Sequence, residues 1–263
     1  MNRSLQIVIE VCAAGSFAIS ALLTALRTLT DWAPARSSPL SFERTLAGRM
    51  ALGDGSGGLS LLGIVAQPTS AILWLLLAAV LLATVLHLVA RARARFAPPL
   101  PLAISAGLAL AALWPWVIGP APLVGLALAA AACTALALGI AQLPEPPAGA
   151  EVQSGSDSLG GAGAHPLAFV AGWVVMSAAN ALGLVLFGMG MGLERSILLG
   201  LLVAALAAVW VQLRLQPLVT FSVAAIWAMI GIAAVTAGTS ITIATACVLG
   251  ISALAVVVVR MTT

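Results

Sequence analysis

Few side chains in this sequence suit acid–base or nucleophilic chemistry. The chain has two histidines, eight carboxylates and eleven basic residues, and every basic residue is an arginine. Without lysine there is no Schiff base to retinal or pyridoxal and no phosphate-loop lysine, because each requires an ε-amine. No metal-ligand spacing, Ser-His-Asp order or convincing phosphate loop occurs. We therefore expect a protein that is not an enzyme, with no catalytic residues and no metal site.

Two ionisable residues nevertheless lie in apolar sequence. Glu10 stands about two turns into the first apolar run, and His87 stands one turn before the arginine-rich string at 91–95. An ionisable group in lipid is costly and is a functional candidate for that reason. Two interpretations remain open. Both side chains reach the membrane surface, or Glu10 faces the bundle, where His87, Asn180 or an arginine of another helix is its natural partner.

Aromatic chemistry is concentrated in tryptophan. There are seven tryptophans and no tyrosine. Near the headgroups an indole anchors a helix, whereas deeper in a bundle it stacks on flat apolar ligands and its N–H needs an acceptor. Trp114 and Trp116 flank Pro115, so that this helix is either kinked into a cavity wall or close to its end at the membrane surface. Asn180 lies in mid-helix with Ser177 one turn earlier, so both are interior candidates.

Composition sets the class of protein that positions these groups. Hydrophobic residues make up 62% of the chain and charged residues 7%, with a mean hydropathy of +1.16. Ordinary soluble proteins carry about a quarter charged residues. The apolar runs are continuous rather than alternating, which excludes barrel strands. An all-α polytopic transmembrane bundle with about eight spans is predicted, in contact with the lipid bilayer, and the net charge of +3 is too small for nucleic acid.

The spans follow from the apolar runs and their polar breaks. Residues 30–58 form the longest polar loop, and the Pro-, Gly- and Ser-rich segment 143–165 reads as a flexible linker between an N-terminal four-helix half, 1–142, and a C-terminal half, 166–263. The predicted helices cover residues 5–26, 69–90, 100–119, 121–142, 166–190, 196–213, 217–236 and 240–259.

Arginine placement predicts orientation. With eight spans, the N-terminus, the string at 91–95, the linker, Arg214 and Arg260 share one side of the membrane. The dense string beside a membrane end favours the cytoplasm for that side. We therefore expect a multi-pass protein of the inner (cytoplasmic) membrane with both termini in the cytoplasm.

Two segments carry a resemblance to a known family. HPLAFVAGWVVMSAANALGLVLFGMG, from residue 165, and VQLRLQPLVTFSVAAIWAMIGIAA, from residue 211, resemble the longer, tryptophan-rich sensory relatives of the translocator protein family (TspO/MBR). The likeness rests on Pro166, the Gly172-Trp173 pair and the helix around Trp227. QPTSAILWLLL, with Trp74, and ALWPW, with Trp114, agree more weakly. The resemblance covers about residues 67–236 and is strongest from 165 onward.

The resemblance implies a function and a site. In that family, five helices enclose a groove that binds porphyrins, sterols or similar flat apolar molecules, and no robust enzymatic turnover is generally accepted. It implies here a planar apolar ligand, with a tetrapyrrole as the cofactor candidate. The ligand residues it implies, together with the interior candidates above, are Trp74, Trp114, Trp173, Ser177, Asn180 and Trp227.

Two other functions compete with this one. Small residues recur every fourth position at Gly125, Ala129, Cys133 and Ala137, and again at Gly200, Ala204 and Ala208. Such stripes let helices approach closely, within one chain or between protomers. They fit a homo-oligomer or a non-catalytic accessory subunit of a larger membrane complex. The third alternative is a secondary transporter, although the two halves show no convincing internal similarity.

Overall fold

A computed structural model describes residues 3–30, 68, 70–93, 100–143, 159–215, 218–238 and 240–262. Every regular element in these ranges is an α-helix, which confirms the all-α polytopic bundle. The predicted polar loop, most of the linker, and Gln67 of the resemblance lie outside the described residues. The division into two four-helix halves stays a prediction.

The bounds of the helices agree with the predicted spans to within about one turn, with one exception. Helix α5 begins at Leu159 rather than at residue 166, with Pro166 inside it. Pro166 is the eighth residue of this helix, where a proline removes one backbone hydrogen bond and its ring crowds the carbonyl four residues back, yet the helix continues through it. The eight helices of the described chain are α1 (Arg3–Thr30), α2 (Ala71–Arg93), α3 (Leu102–Val117), α4 (Pro122–Ala141), α5 (Leu159–Gly188), α6 (Leu193–Arg214), α7 (Val219–Thr236) and α8 (Ile241–Thr262).

All of these helices except α3 are long and apolar enough to cross a bilayer. Helix α3 has 16 residues, about 24 Å at 1.5 Å per residue, against a hydrocarbon core of about 30 Å. Pro115 stands in its last turn, and the N–H of Ile118 closes the helix on the carbonyl of Trp114 at 3.0 Å. Of the two interpretations of the Trp-Pro-Trp sequence, the helix close to its end describes the structure.

Five helices close into a ring. Helix α1 packs against α2 and α3, α4 packs against α3 and α5, and α5 packs against α2. The order around this five-helix ring is therefore α1, α2, α5, α4, α3.

Helix α5 also belongs to a second group. It packs against α6 and α7, and α8 packs against both of those helices. Accordingly 72% of the span of α5 is buried, against 22% of the span of α8. Close approach requires small residues along this helix: a Cβ on Gly200 of α6 would lie 2.7 Å from the carbonyl oxygen of Ala179. The small-residue stripe of α6 thus packs within the chain.

Polar contacts show which helix ends lie together. The Thr220 hydroxyl donates to the carbonyl of His165 at 2.9 Å, joining the starts of α7 and α5. On the other side of the bundle, Ser240 donates to Glu194 at 2.9 Å and joins the starts of α8 and α6. We call the first side the arginine end. Among the described residues it carries Arg3, at the start of α1, and Arg91, Arg93, Arg214 and Arg260, at the ends of α2, α6 and α8.

Candidate functional site

A buried ion cluster joins α1 to α2 at the arginine end. Arg91 Nε donates to Glu10 Oε1 at 2.9 Å, and His87 Nε2 lies 3.0 Å from the same oxygen. An ionised carboxylate only accepts hydrogen bonds, so His87 is a donor through Nε2. Glu10 is 3% exposed and His87 1% exposed. Of the two interpretations of Glu10, the one in which it faces the bundle is confirmed, with His87 and an arginine of another helix as partners.

The spacing of His87 and Arg91 in the sequence would have predicted Arg91 as a further partner of Glu10. His87 and Arg91 are four residues apart on α2, which places them on one helical face. Together they give Glu10 two donors and one fixed positive charge. Chemically, the cluster is able to hold a proton and to pass it between carboxylate and imidazole. His87 Nδ1 is buried and has no hydrogen-bond partner among the described residues.

A second polar contact joins α1 to α3. Ser20 Oγ donates to the carbonyl oxygen of Ala112 at 2.5 Å and accepts from Trp116 Nε1 at 2.7 Å. The indole of Trp116 is thus tied to the wall of the ring.

One face of α5 carries three of the predicted ligand residues. Trp173, Ser177 and Asn180 follow one another at helical spacing, so they share a stripe. The Trp173 ring meets Phe17 of α1 edge to face, with centroids 5.7 Å apart and planes at 77°. Because α1 and α5 are not neighbours in the order of the ring, this stripe points into the ring rather than toward lipid.

The polar atoms of this stripe are buried without partners. Trp173 Nε1, Ser177 Oγ and Asn180 Nδ2 have no hydrogen-bond partner within the described part of the chain. The indole Nε1 of Trp114, on α3, is in the same condition, and that side chain is fully buried. Buried polar groups in folded proteins are almost always hydrogen-bonded, so four unpaired atoms on helices of one ring require an explanation.

The other two predicted ligand residues lie elsewhere. Trp74 is a half-buried residue of α2, also a helix of the ring. Trp227 is on α7, outside the ring, and meets Phe169 edge to face at 6.4 Å. The structure thus places five of the six predicted residues on helices of the ring and three of them on one face of α5. The ligand site itself stays a prediction.

Sequence reasoning missed a groove on the outside of the ring. It has a volume of about 800 Å³ and lies between α4, α5 and α6. None of the six predicted ligand residues lines it. Its walls are mostly alanine, leucine and valine, and include Cys133 and Ala137 of the first small-residue stripe and Ala204 of the second. Those stripes were the available signal, because small side chains where helices pack against one another leave space between them.

A cation closes one end of this groove. Trp210 and Arg214 line it one turn apart on α6, and the Arg214 guanidinium carbon lies 5.5 Å from the centroid of the Trp210 ring. Stacking of this kind holds a guanidinium over an indole face. The apolar groove therefore meets a positively charged group at the arginine end.

No protein-family model, curated protein or solved structure matches this chain.

Proposed function

We propose that this integral membrane protein binds a flat, largely apolar molecule that carries hydrogen-bond acceptors, of the tetrapyrrole class, inside the five-helix ring. The observation that carries the proposal is the set of unpaired polar atoms on Trp114, Trp173, Ser177 and Asn180. Each unpaired buried donor costs about 1–3 kcal/mol, and a ligand that pairs with it offsets that cost.

The chemistry of these atoms selects the ligand. Indole and amide nitrogens are hydrogen-bond donors only, so the nitrogens of Trp114, Trp173 and Asn180 each require an acceptor. Porphyrins carry carboxylates at the edge of a planar apolar ring. The edge-to-face contact of Trp173 with Phe17 supplies aromatic surface beside these donors. Charge-assisted hydrogen bonds from such donors are about twice as strong as neutral ones.

Two further features support this class of ligand. The resemblance to the translocator protein family implies five helices around a groove for flat apolar molecules, and five helices of this chain form a ring. Separately, the dense arginine string at 91–95 leads us to propose the inner membrane as the location, with both termini in the cytoplasm. That orientation places the arginine end at the cytoplasmic surface.

The test is a porphyrin titration of the purified protein in detergent, followed by quenching of tryptophan fluorescence. Trp173→Phe keeps an aromatic ring beside Phe17 and removes the N–H. We expect it to weaken binding about tenfold, the loss of one hydrogen bond to a charged acceptor.

Trp210→Phe is the matched control, because Trp210 lies in the outer groove rather than in the ring. It should bind porphyrin as the wild type does. Equal affinity of wild type and Trp173→Phe, or no saturable quenching of the wild type, would contradict the proposal.

A proton-coupled secondary transporter is the second candidate, and the ion cluster favours it. Coupling requires a titrating group inside the membrane, and Glu10 with His87 provides one. Proteoliposomes loaded with a pH-sensitive dye should acidify when an acid-outside pH gradient and an external transported substrate are applied together. Glu10→Gln, reconstituted at equal density and with the wild-type elution volume, should abolish acidification. Full acidification in this variant would contradict coupling through Glu10.

The accessory-subunit alternative has less support. The second small-residue stripe packs within the chain, with Gly200 against α5 and Ala204 and Ala208 buried. A role as a subunit of a larger complex or in a homo-oligomer stays a prediction, and its interface would have to form on surfaces other than the small-residue stripe of α6.

A further inference from the structure

The outer groove is separate from the ligand site in the ring and from the ion cluster. We propose that it is a binding site for one anionic phospholipid, with an acyl chain between α4, α5 and α6 and the phosphate on Arg214.

The walls of the groove match an acyl chain. Val203, Ala204 and Ala207 of α6, with Ala130 and Ala178 from the facing helices, give a surface of small and branched apolar side chains. A volume of about 800 Å³ is within the range of roughly 300–1,000 Å³ typical of sites for small molecules. A flat lipid-facing helix surface offers no such enclosure, so a chain seated here contacts three helices instead of one.

The length of the groove matches one leaflet. On α6 its lining extends from Val203 to Arg214, which at 1.5 Å per residue is about 16 Å. Half of a hydrocarbon core of about 30 Å is about 15 Å. A lipid of the leaflet at the arginine end therefore reaches the bottom of the groove with its tail while its headgroup stays at the level of Arg214.

Charge selects the headgroup. Arg214 is exposed, and its guanidinium is held over Trp210. No carboxylate forms an ion pair with it among the described residues. Guanidinium groups bind phosphate through two parallel hydrogen bonds. Arg93 and Arg260 are at the same end of the bundle, so the surrounding potential also favours an anionic lipid over a zwitterionic one.

Brominated lipids provide the measurement, because bromine on an acyl chain quenches a tryptophan that it touches. The protein is placed in phosphatidylcholine nanodiscs containing a small fraction of brominated phosphatidylglycerol or, separately, of brominated phosphatidylcholine. The part of the quenching that is lost in the Trp210→Phe variant measures how far lipid occupies the groove. We expect phosphatidylglycerol to occupy it about fivefold more strongly, the effect of one arginine near a membrane surface.

Two variants separate the parts of the proposal. Arg214→Gln should reduce the ratio of phosphatidylglycerol to phosphatidylcholine occupancy to about one. Arg195 is an exposed arginine at the opposite end of α6, and Arg195→Gln should leave this ratio unchanged. Ala207→Phe fills the groove and keeps Arg214. It should also remove the preference.

Three outcomes would overturn the proposal. Equal quenching by the two lipids in the wild type would show that no anionic lipid is selected. A preference that survives Ala207→Phe but not Arg214→Gln would show attraction at the surface without a seated chain. Protection of Trp210 from both brominated lipids would show that a second copy of the chain or another protein covers the groove.

Discussion

Two polar regions of the five-helix ring differ in how their side chains are paired. At the arginine end, Glu10 receives hydrogen bonds from His87 and Arg91 at 3.0 and 2.9 Å. On the inner face of α5, Trp173 and Ser177 are as deeply buried and have no partner for Nε1 or Oγ among the described residues. Both regions carry polar atoms inside a membrane protein, yet only the first satisfies most of them.

The difference separates stability from binding. A buried charge without a partner is so costly that its pairing stabilises the fold, apart from any other role it has. An unpaired neutral donor costs less, about 1–3 kcal/mol, which a fold of ordinary stability tolerates. An unpaired buried donor recovers this free energy only when a group outside the chain accepts its hydrogen bond. The stripe on α5 is therefore the region where removal of a polar atom should affect binding rather than folding.

The largest effect is expected at the ion cluster. Glu10→Ala leaves His87 and Arg91 without their shared acceptor, and removing one partner of a buried pair costs about 3–5 kcal/mol. Unfolding in mixed micelles, followed by far-UV circular dichroism at increasing denaturing detergent, measures this loss.

Glu194→Ala is the control for this measurement. Glu194 is exposed and accepts hydrogen bonds from Ser240 and Thr242. Its removal should change the free energy of unfolding by less than about 0.5 kcal/mol. Equal losses for the two variants would remove the distinction between paired and unpaired regions, because the cluster would then contribute no more than a surface contact.

The features that neighbouring residues determine were the ones that the sequence predicted best. Helices were predictable because each continuous apolar run is local and long enough to cross lipid. The start of α5 was not, since a proline usually marks a helix boundary, whereas Pro166 lies inside α5 as its eighth residue. The end of α3 after Pro115 was left between two interpretations, and only the position of Val117 as last helical residue decides it.

Partners across the ring were harder to predict. Glu10 and His87 are 77 residues apart, and nothing local selects α2 rather than another helix as the neighbour of α1. The expectation therefore named His87 among several partners and did not name Arg91. The groove requires three helices at once, so no single segment predicts it. Trp173, Ser177 and Asn180 were predictable as a set because their spacing places them on one face wherever α5 packs.

A smaller loss of stability is expected where a neutral hydrogen bond is paired. Ser222 Oγ donates to Gln212 Oε1 at 2.7 Å, and both residues are fully buried. Ser222→Ala leaves that oxygen without its donor. Interhelical hydrogen bonds in membrane proteins contribute about 0.6 and at most about 1.7 kcal/mol. Detergent-induced unfolding of this variant should show a decrease in the free energy of unfolding in that range. An unchanged free energy would mean that this buried hydrogen bond does not stabilise the bundle.

The smallest effect on stability is expected from the same substitution on α5. Ser177 is buried as completely as Ser222, and its hydroxyl has no partner within the described chain. Removing an unpaired polar atom recovers its desolvation cost, so Ser177→Ala should leave the free energy of unfolding unchanged or raise it by up to about 1 kcal/mol. Porphyrin affinity should nevertheless fall, because the hydroxyl is available to a bound ligand. A loss of stability equal to that of Ser222→Ala, with affinity unchanged, would make this stripe structural and remove the contrast between the two regions.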